Sequence, residues 1–360
     1  MSDYIEIESS LGSYVVEFHQ FPHVYSLEEI DACFYLIDSL VADLHHSSMP
    51  PNSKVYRLEA LEQNKTLSSV AEILEWLRKS GATKHSKLVV IGGGVIQDVG
   101  TITASIYMRG IQWQLVPTTL LGMVDSCIGG KSSLNVGSFK NIAGNFYPPE
   151  VIKIYPAYCQ TLDHKKHLEG LCEAIKIFYA SDPEEFAKGF TKVEPNYWLQ
   201  SNKLLELIKS SLIKKKTIIE KDEFDNGDRL LLNFGHTFGH AIESAANYLV
   251  PHGIAVGLGM ILAIEYVGCP DKVSNSHSLR QFIKALLNSD AALASDIKQI
   301  DALKAAAAFE SDKKHYEHHY RLIVPSGTRG GLEIIKIEKT VKNKEEILAL
   351  FKGLWQLIYI

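Results

Sequence analysis

The stretch Lys87–Asp98, KLVVIGGGVIQD, joins a short apolar run to three consecutive glycines and then to a helical pattern. An apolar run of this length is typical of a strand buried on both faces of a parallel sheet. Glycines at the following turn let the backbone approach a pyrophosphate, whose charge the next helix N-terminus favours. Gln97 stands where the third glycine of GxGxxG falls, so a plain strand-to-helix turn stays open as an alternative.

The segments on either side continue the alternation of strand and helix. YVVEF (14–18), CFYLID (33–38) and WQLVP (113–117) are short and rich in β-branched and aromatic residues, which predicts strands. SSVAEILEWLRKSG (68–81) has apolar residues at helical spacing and ends in a glycine, which predicts a helix. This order predicts a doubly wound, Rossmann-like α/β nucleotide-binding domain.

The second half of the sequence has a different pattern. From about residue 160 the apolar residues recur mostly at helical spacing, in HLEGLCEAIKIFYA, NKLLELIKSSLIKKKTIIEKD, DRLLLNFGHTFGHAIESAANYL and GIAVGLGMILAIEYVG. The composition shifts between residues 147 and 156. We therefore predict an α/β domain over residues 1–155 and an α-helical domain over residues 156–360.

The composition excludes several classes of protein. The 360 residues are 46% apolar and carry a net charge of -5, without a basic tail, so nucleic acid is not an expected partner. No apolar run approaches membrane-spanning length, and MSDYIEIESS does not read as a signal peptide. Five scattered cysteines without a CxxC pair predict reduced thiols and a cytoplasmic location.

A candidate metal site lies in the helical half. LNFGHTFGHAIE places His236 and His240 on one helical face, and His252 follows after a short break. Upstream, Glu173 and Lys176 share a helical face in EGLCEAIK. A carboxylate and two histidines with one position left open suit a catalytic zinc, but spacing alone does not say which helix histidine is the ligand. Structural histidines remain the alternative.

Other polar residues can also be interpreted as surface residues without a specific role. Histidines in polar stretches, namely His45, His46, His315, His318 and His319, are interpreted as surface residues. Cations are spread along the chain, and each taken singly is typical of a solvated surface: Arg109, Lys131, Lys140, Lys215, Arg229, Lys313 and Lys314. Taken together, they suit an anionic small molecule that bears a phosphate and a carboxylate.

Several strings, in this order and with few gaps, make the sequence recognisable: GGGVIQDVG, YMRG, VPTTLLGMVDSCIGGK, KNIAGNFYPP, GLCEAIK, KDE, LLLNFGHTFGHAIE, HGIAVG and SDKK. Together they resemble the sugar phosphate cyclases, most closely the 3-dehydroquinate synthase family, from about Leu58 to beyond Lys314. The resemblance implies three metal ligands, for zinc or alternatively cobalt, which are Glu173, His236 and His252. It implies NAD contacts at Glu62, Lys65, Gly94, Val95, Ile96, Gln97, Asp98, Thr118, Thr119, Lys131, Lys140 and Thr161.

The resemblance also implies a substrate pocket and a set of catalytic residues. The catalytic positions are Asp125, Lys176, Lys215, Asn233 and His240. The substrate-binding positions are Arg109, Lys131, Lys140, Asn141, Arg229 and Lys313. Lys215 and Arg229 correspond to cations that face the substrate carboxylate, whereas His240, Lys131 and Asn141 correspond to positions around its phosphate. Arg109 corresponds to a residue lent across a homodimer interface.

The implied reaction cyclises 3-deoxy-D-arabino-heptulosonate 7-phosphate to 3-dehydroquinate in the shikimate pathway, which leads to aromatic amino acids. NAD is transiently reduced, phosphate leaves by elimination, the hydride returns, and an intramolecular aldol step closes the carbocycle. Such an enzyme is a lyase that needs a sugar phosphate substrate and no membrane.

The sequence departs from the family pattern at four places: Val136–Phe139 replace His-Pro-x-Gly, Ile254 replaces a glutamate, Gln97 replaces a glycine, and Leu40 stands at a frequent asparagine. They leave open a sister cyclase acting on sedoheptulose 7-phosphate, glucose 6-phosphate or an amino analogue. The first two lack a carboxylate, which disfavours them while Lys215 and Arg229 are kept. A metal-dependent polyol dehydrogenase would release NADH in every turnover. A regulatory or scaffold protein would be expected to lack a metal ligand.

Overall fold

The computed structural model describes residues 4–19, 33–45, 54–137, 139–190, 194–247, 249–268, 275–312, 314–326 and 331–359. The chain forms two compact units, which are Met1–Leu162 together with Ile219–Phe224, and Asp163–Ile218 together with Asp225–Ile360. The domain boundary predicted between residues 155 and 156 lies inside the first unit. No helix among the described residues combines the length and apolar content needed to span a bilayer.

The first unit is an α/β structure. Its described strands are β1 Tyr4–Ile7, β2 Tyr14–Phe18, β3 Cys33–Asp38, β4 Lys54–Leu58, β5 Lys87–Gly92, β6 Gln112–Pro117, β7 Leu134–Val136, β8 Phe139–Ala143 and β9 Val151–Ile154. Seven of them form a sheet in the order β1-β2-β9-β6-β5-β3-β4, in which each pair is parallel except β1 with β2. The predicted parallel sheet is confirmed, with one antiparallel strand added at its edge.

The first unit has three described α-helices, two of which were predicted, one over residues 68–81 and one after the glycine turn. They are α1 Ser39–Leu44, α2 Leu67–Lys79 and α3 Gly94–Ile106. The Thr66 side chain accepts a hydrogen bond from Ser69 N and caps α2, while Gly81, at φ +86°, follows its end. Between α2 and α3 lies β5, whose side chains are buried because it pairs with β3 and β6 in the middle of the sheet.

The departure from the family pattern at Val136–Phe139 lies in the β7–β8 hairpin. The two strands are antiparallel, and Gly137, at φ +59°, follows β7. Ser138 lies outside the described residues. The hairpin presents Val136 and Phe139 to solvent, so the substitutions alter a surface turn.

The second unit is mostly helical. Its helices are α4 His164–Ser181, α5 Pro183–Phe190, α6 Ser201–Ile219, α7 His236–Ala245, α8 His252–Tyr266, α9 Ser276–Asn288, α10 Ala291–Lys298, α11 Ala302–Glu310 and α12 Val341–Tyr359. The predicted helical second half is confirmed, with one addition. The antiparallel strands β10 His319–Pro325 and β11 Leu332–Glu338 follow α11, where their alternating apolar residues suit a sheet better than a helix.

The continuous helix predicted from Asp228 to Leu249 is wrong in its first part. Asp228–Asn233 forms a 3₁₀ turn, and α7 begins only at His236, after Gly235 in a left-handed conformation at φ +79°. A Cβ on Gly259 of α8 would lie 2.0 Å from the Gly235 carbonyl oxygen, so glycine permits this close packing. The break and the close approach together bring the start of α7 next to α8.

Candidate functional site

Three helices of the second unit bring together the residues predicted to bind a metal. Glu173 lies buried in α4, His236 is the first residue of α7, and His252 is the first residue of α8. Glu173 Oε1 lies 3.5 Å from His252 Nε2 and 3.9 Å from His236 Nε2. Ligand atoms around a tetrahedral zinc ion, each about 2.1 Å from the metal, are about 3.4 Å apart. The three residues therefore fit a zinc ion.

Both histidines are held so that Nε2 faces Glu173. His252 Nδ1 lies 3.1 Å from Glu243 Oε2, and His236 Nδ1 lies 3.4 Å from the Phe234 carbonyl oxygen. Partners of this kind fix the tautomer and ring orientation of metal-binding histidines. Sequence reasoning did not identify Glu243, although its place one turn after His240 on the same helix was a signal for it.

The protonation states also suit metal binding by the two histidines. Burial lowers the pKa of His236 well below its ordinary value, and the charges of Lys176 and Lys314 lower it further. Burial also opposes protonation of His252, but Glu243 and Glu173 outweigh it and raise the pKa of His252. His236 is thus neutral, the form of histidine that can bind a metal, and His252 is surrounded by the negative charge that attracts a cation.

His240 offers a second ligand set. The ligand atoms of His236, His240 and His252 all lie within 4.8 Å of one another. Its Nδ1, however, lies 3.9 Å from Asp312 Oδ2. Burial raises the pKa of Asp312, but contacts with His240 and Lys314 lower it to about 2, so Asp312 is an anion. The distances therefore allow either three histidines or Glu173 with two histidines, whereas the spacing in the sequence left open only whether His236 or His240 is the ligand.

Most of the cations predicted around the substrate in this unit are buried. Lys176 Nζ lies 2.5 Å from Glu173 Oε2, and both side chains are almost inaccessible to solvent. Lys215 and Arg229 are also buried, with 6% and 3% of their surface exposed. Buried cations are rare unless they have a specific task, so their interpretation as solvated surface charges is wrong.

Lys314 lies next to the histidines. From the sequence, this lysine was identified only together with Lys313. Lys314 Nζ donates a hydrogen bond to Asn233 Oδ1 at 3.1 Å, which joins it to a predicted catalytic residue. Burial lowers the pKa of Lys314 to about 8, although Asp312 opposes this. Lys313, the predicted phosphate contact, lies outside the described residues.

The glycine turn of the first unit has the geometry of an anion site. Gly93 precedes α3, so Gly94, Val95 and Ile96 form the first turn of a 13-residue helix. A Cβ on Gly93 would lie 2.8 Å from the Thr119 side chain, so only glycine fits beside the residues that follow β6. The parallel strands β5 and β6 end here together, which is where nucleotides bind to such sheets.

A polar cluster joins predicted cofactor and substrate residues from three separate segments. Lys65 Nζ lies 2.6 Å from Asp98 Oδ2 and 2.7 Å from Asn141 Oδ1. Burial raises the pKa of Asp98, while Lys65 and Ser133 oppose this shift. The neighbouring pair Glu62 and Lys140 are 3.5 Å apart. Folding therefore brings together residues that are more than seventy positions apart in the sequence.

The remaining predicted residues of this unit have distinct environments. Arg109 is exposed and has a left-handed backbone, at φ +70°, after Met108 at φ +49°. Thr161 Oγ1 donates to the Tyr158 carbonyl oxygen at 3.1 Å. Gln97, predicted to contact the cofactor, is buried, and its side chain hydrogen-bonds Ser126 instead of facing solvent. Asp125 lies one residue before Ser126 in an irregular turn.

Two histidines interpreted as surface residues are packed against aromatic rings. His45 lies edge-on to Tyr158, with ring centroids 4.8 Å apart. His315 contacts Phe309, and its Nδ1 accepts a hydrogen bond from Arg321 N at 3.0 Å. These two predictions are wrong because tertiary packing covers side chains in locally polar sequence. His318 is exposed as predicted, and His46 lies outside the described residues.

Comparison with known proteins supplies a family. A family profile described as 3-dehydroquinate synthase N-terminal matches residues 55–169, and one described as 3-dehydroquinate synthase C-terminal matches residues 170–315. The 3-dehydroquinate synthase of Dictyoglomus turgidum is 36% identical to this chain over 307 residues, which are 85% of this chain and 84% of that protein.

Solved structures share the fold at lower identity. A 2-deoxy-scyllo-inosose synthase, complexed with carbaglucose-6-phosphate, NAD⁺ and Co²⁺, has a TM-score of 0.80 and 23% identity, covering 97% of this chain and 99% of its own. The 2-epi-5-epi-valiolone synthase of Streptomyces hygroscopicus, with NAD⁺ and Zn²⁺ bound, has a TM-score of 0.77 and 22% identity, with the same coverage. At these identities the likeness concerns the fold.

Proposed function

The chain belongs to the 3-dehydroquinate synthase family, and on that premise we propose that it cyclises 3-deoxy-D-arabino-heptulosonate 7-phosphate to 3-dehydroquinate with release of phosphate. It is a phosphate-eliminating lyase that acts on a sugar phosphate in the shikimate pathway. The observation that carries the proposal is the convergence of Glu173, His236 and His252, whose facing atoms are spaced as ligands of one divalent ion.

The metal site consists of Glu173, His236 and His252, with zinc as the preferred ion and cobalt as the alternative. This set is preferred to the three histidines because a carboxylate offsets part of the charge of a buried dication. A bound divalent ion acts as a Lewis acid that stabilises charge on a substrate alcohol. Lys176, whose Nζ lies 2.5 Å from Glu173 Oε2, places a hydrogen-bond donor beside the metal site.

The protein's own groups bind the two acidic ends of the substrate. Lys215 and Arg229, both buried cations, bind its carboxylate. Lys314 and Asn233, which already form a hydrogen bond, bind its phosphate together with His240. His240 is neutral because burial lowers its pKa, so it contacts the phosphate as a hydrogen-bonding partner, and Asp312 beside it orients its ring.

The glycine turn Gly92–Gly94 and the polar residues near it bind NAD in this proposal. A bound NAD supplies a hydride acceptor that is regenerated within each turnover. The N–H groups at the start of α3 bind the pyrophosphate, while Lys65, held between Asp98 and Asn141, contributes a positive charge. Thr118 and Thr119 line the turn from the end of β6.

A sister cyclase is the second candidate, since both solved structures described above carry that kind of name. The presence of Lys215 and Arg229, which the resemblance places at the substrate carboxylate, favours a carboxylated substrate, because sedoheptulose 7-phosphate and glucose 6-phosphate offer these cations no such anion. The test is phosphate release from the purified protein with zinc and NAD⁺. The heptulosonate phosphate should react, whereas sedoheptulose 7-phosphate and glucose 6-phosphate should not. Net accumulation of NADH would instead indicate a dehydrogenase.

The proposed function also implies an oligomeric state and a cellular location. We expect a cytoplasmic homodimer in which Arg109 serves the partner's substrate. Four described cysteines are buried thiols, in agreement with a reducing compartment. Arg109 is exposed, and its backbone has an uncommon conformation. Both features suit a side chain that contacts the substrate of the partner subunit. Sedimentation should give a dimer mass, and Arg109→Ala should lower kcat without changing that mass.

A further inference from the structure

The segment Gly122–Lys131 has a backbone conformation that costs conformational entropy to order. It begins with a π-helical turn, Gly122–Ser126, closed by a 3.1 Å hydrogen bond from Cys127 N to the Gly122 carbonyl oxygen. It continues through Gly129 at φ +99° and Gly130 at φ +63°. Short π-helical turns are rare, and glycine loses more conformational entropy than any other residue when its backbone is ordered. Contacts from outside the segment must therefore hold it.

One such contact comes from Gln97 on the second turn of α3. Its Nε2 donates to the Ser126 carbonyl oxygen at 2.7 Å, and its Oε1 accepts from Ser126 Oγ at 2.9 Å. Gln97 is only 5% exposed, so water does not readily replace these bonds. The side chain thus fixes both the backbone and the hydroxyl of the residue that ends the π-helical turn.

A second contact comes from Tyr14 on β2. Its hydroxyl oxygen accepts a 2.9 Å hydrogen bond from Gly129 N, and the ring is buried. On the far side of this glycine, the Gly130 carbonyl oxygen accepts from Tyr147 N at 2.8 Å. The two glycines are therefore held from both directions. Tyr14 belongs to the part of the chain before Leu58 that resembles the family only loosely.

We propose that Gln97 and Tyr14 are positioning residues that hold Gly122–Lys131 in the conformation that presents Asp125 and Lys131 to the sugar phosphate. The inference rests on the proposed function, which places Asp125 and Lys131 at the substrate. Asp125 directly precedes the residue held by Gln97, and Lys131 lies two residues after the one held by Tyr14. Gln97 stands at a family glycine, so this chain carries a contact that a glycine cannot make.

The test uses Gln97→Met and Tyr14→Phe, which remove the hydrogen-bonding groups and keep the shape. Each should raise KM for the sugar phosphate about fivefold or more, the effect of one lost neutral hydrogen bond, while kcat changes less than twofold. Thr103→Val is the matched control. It deletes a 2.7 Å hydrogen bond to the Val99 carbonyl oxygen, buried in α3, and should lower Tm similarly with KM unchanged.

Hydrogen exchange gives a readout that does not depend on turnover. Amides of residues 122–131 should exchange faster in Gln97→Met and Tyr14→Phe than in wild type, and at the wild-type rate in Thr103→Val. Unchanged exchange in both variants would overturn the inference whatever the activity. Faster exchange in variants that stay active with an unchanged KM would also overturn the inference. A wild-type protein that releases no phosphate but shows the exchange difference would contradict the proposed function and leave the holding contacts supported.

Discussion

Replacing Lys314 by methionine should stabilise the free protein while it weakens phosphate binding. Burial lowers the pKa of Lys314 from 10.5 to about 8. At about 1.4 kcal/mol for each tenfold change in the protonation equilibrium, this lower pKa corresponds to roughly 3 to 4 kcal/mol of destabilisation by the charged form. Methionine removes that cost but also removes the hydrogen bond to Asn233, worth about 1 kcal/mol. The expected net gain at pH 7 is about 2 to 3 kcal/mol.

The gain should depend on pH with a definite sign. Because the pKa of Lys314 is lower in the folded state, the destabilisation is fully present below pH 8 and disappears as the pH rises towards 10.5. Urea unfolding should therefore show a larger difference between Lys314→Met and wild type at pH 7 than at pH 9.5. Binding of inorganic phosphate, measured by calorimetry at pH 7, should weaken at least tenfold, because an ionic hydrogen-bonding partner is lost.

The matched control for Lys314→Met is Lys188→Met, which replaces a lysine at the protein surface. Lys188→Met removes an exposed lysine that is paired with Glu184 on α5, and it should change neither the unfolding midpoint nor phosphate binding. A Lys314→Met protein that is less stable than wild type at pH 7 would refute the assignment of a buried, charged lysine. Unchanged phosphate affinity would refute its role in binding the substrate.

Three further predictions concern the metal and the carboxylate end of the substrate. Glu173→Gln should lose bound zinc in elemental analysis, whereas His240→Ala should keep it; the opposite pattern would favour the three-histidine site. Glu243→Gln should weaken zinc binding about tenfold in chelator competition, because it replaces the carboxylate beside His252 Nδ1, and an unchanged affinity would exclude that orienting role. Arg229→Met should raise KM for the carboxylated substrate by at least about thirtyfold while the affinity for inorganic phosphate stays unchanged; an equal loss of phosphate affinity would exclude the assigned ion pair.

Much of the fold could be predicted because local periodicity reports burial. The apolar run of β5 results from burial on both faces of the sheet, and the helical spacing of α2 results from burial of one helix face. Pattern and structure therefore agree. The break before α7 was missed because DRLLLN is as apolar as a helix, and only the close packing of Gly235 against α8 requires the chain to turn there. The strands β10 and β11 are neighbours in the sequence, and their alternating apolar residues were a signal that could have identified them.

The candidate site was predictable in its residue types and less so in its contacts. The histidine pair and the glutamate were identified from helical spacing and from the family resemblance. Their spacing left open whether His236 or His240 is the ligand, and the distances in the structure allow either Glu173 with two histidines or the three histidines. The orienting role of Glu243 and the burial of Lys314 were not predictable, because both depend on which side chains from other helices lie alongside.

By itself, the sequence determined the α/β and helical halves, the glycine turn after β5 and the set of residues able to bind a metal, because each is a property of neighbours along the chain. Only the tertiary structure decided that Gln97 hydrogen-bonds Ser126, that Lys65 links Asp98 to Asn141, and that Glu173 faces two histidines. These contacts join residues distant in sequence, and their free energy depends on burial and on distances of a few ångströms. Neither the burial nor these distances can be read from the pattern of neighbouring residues.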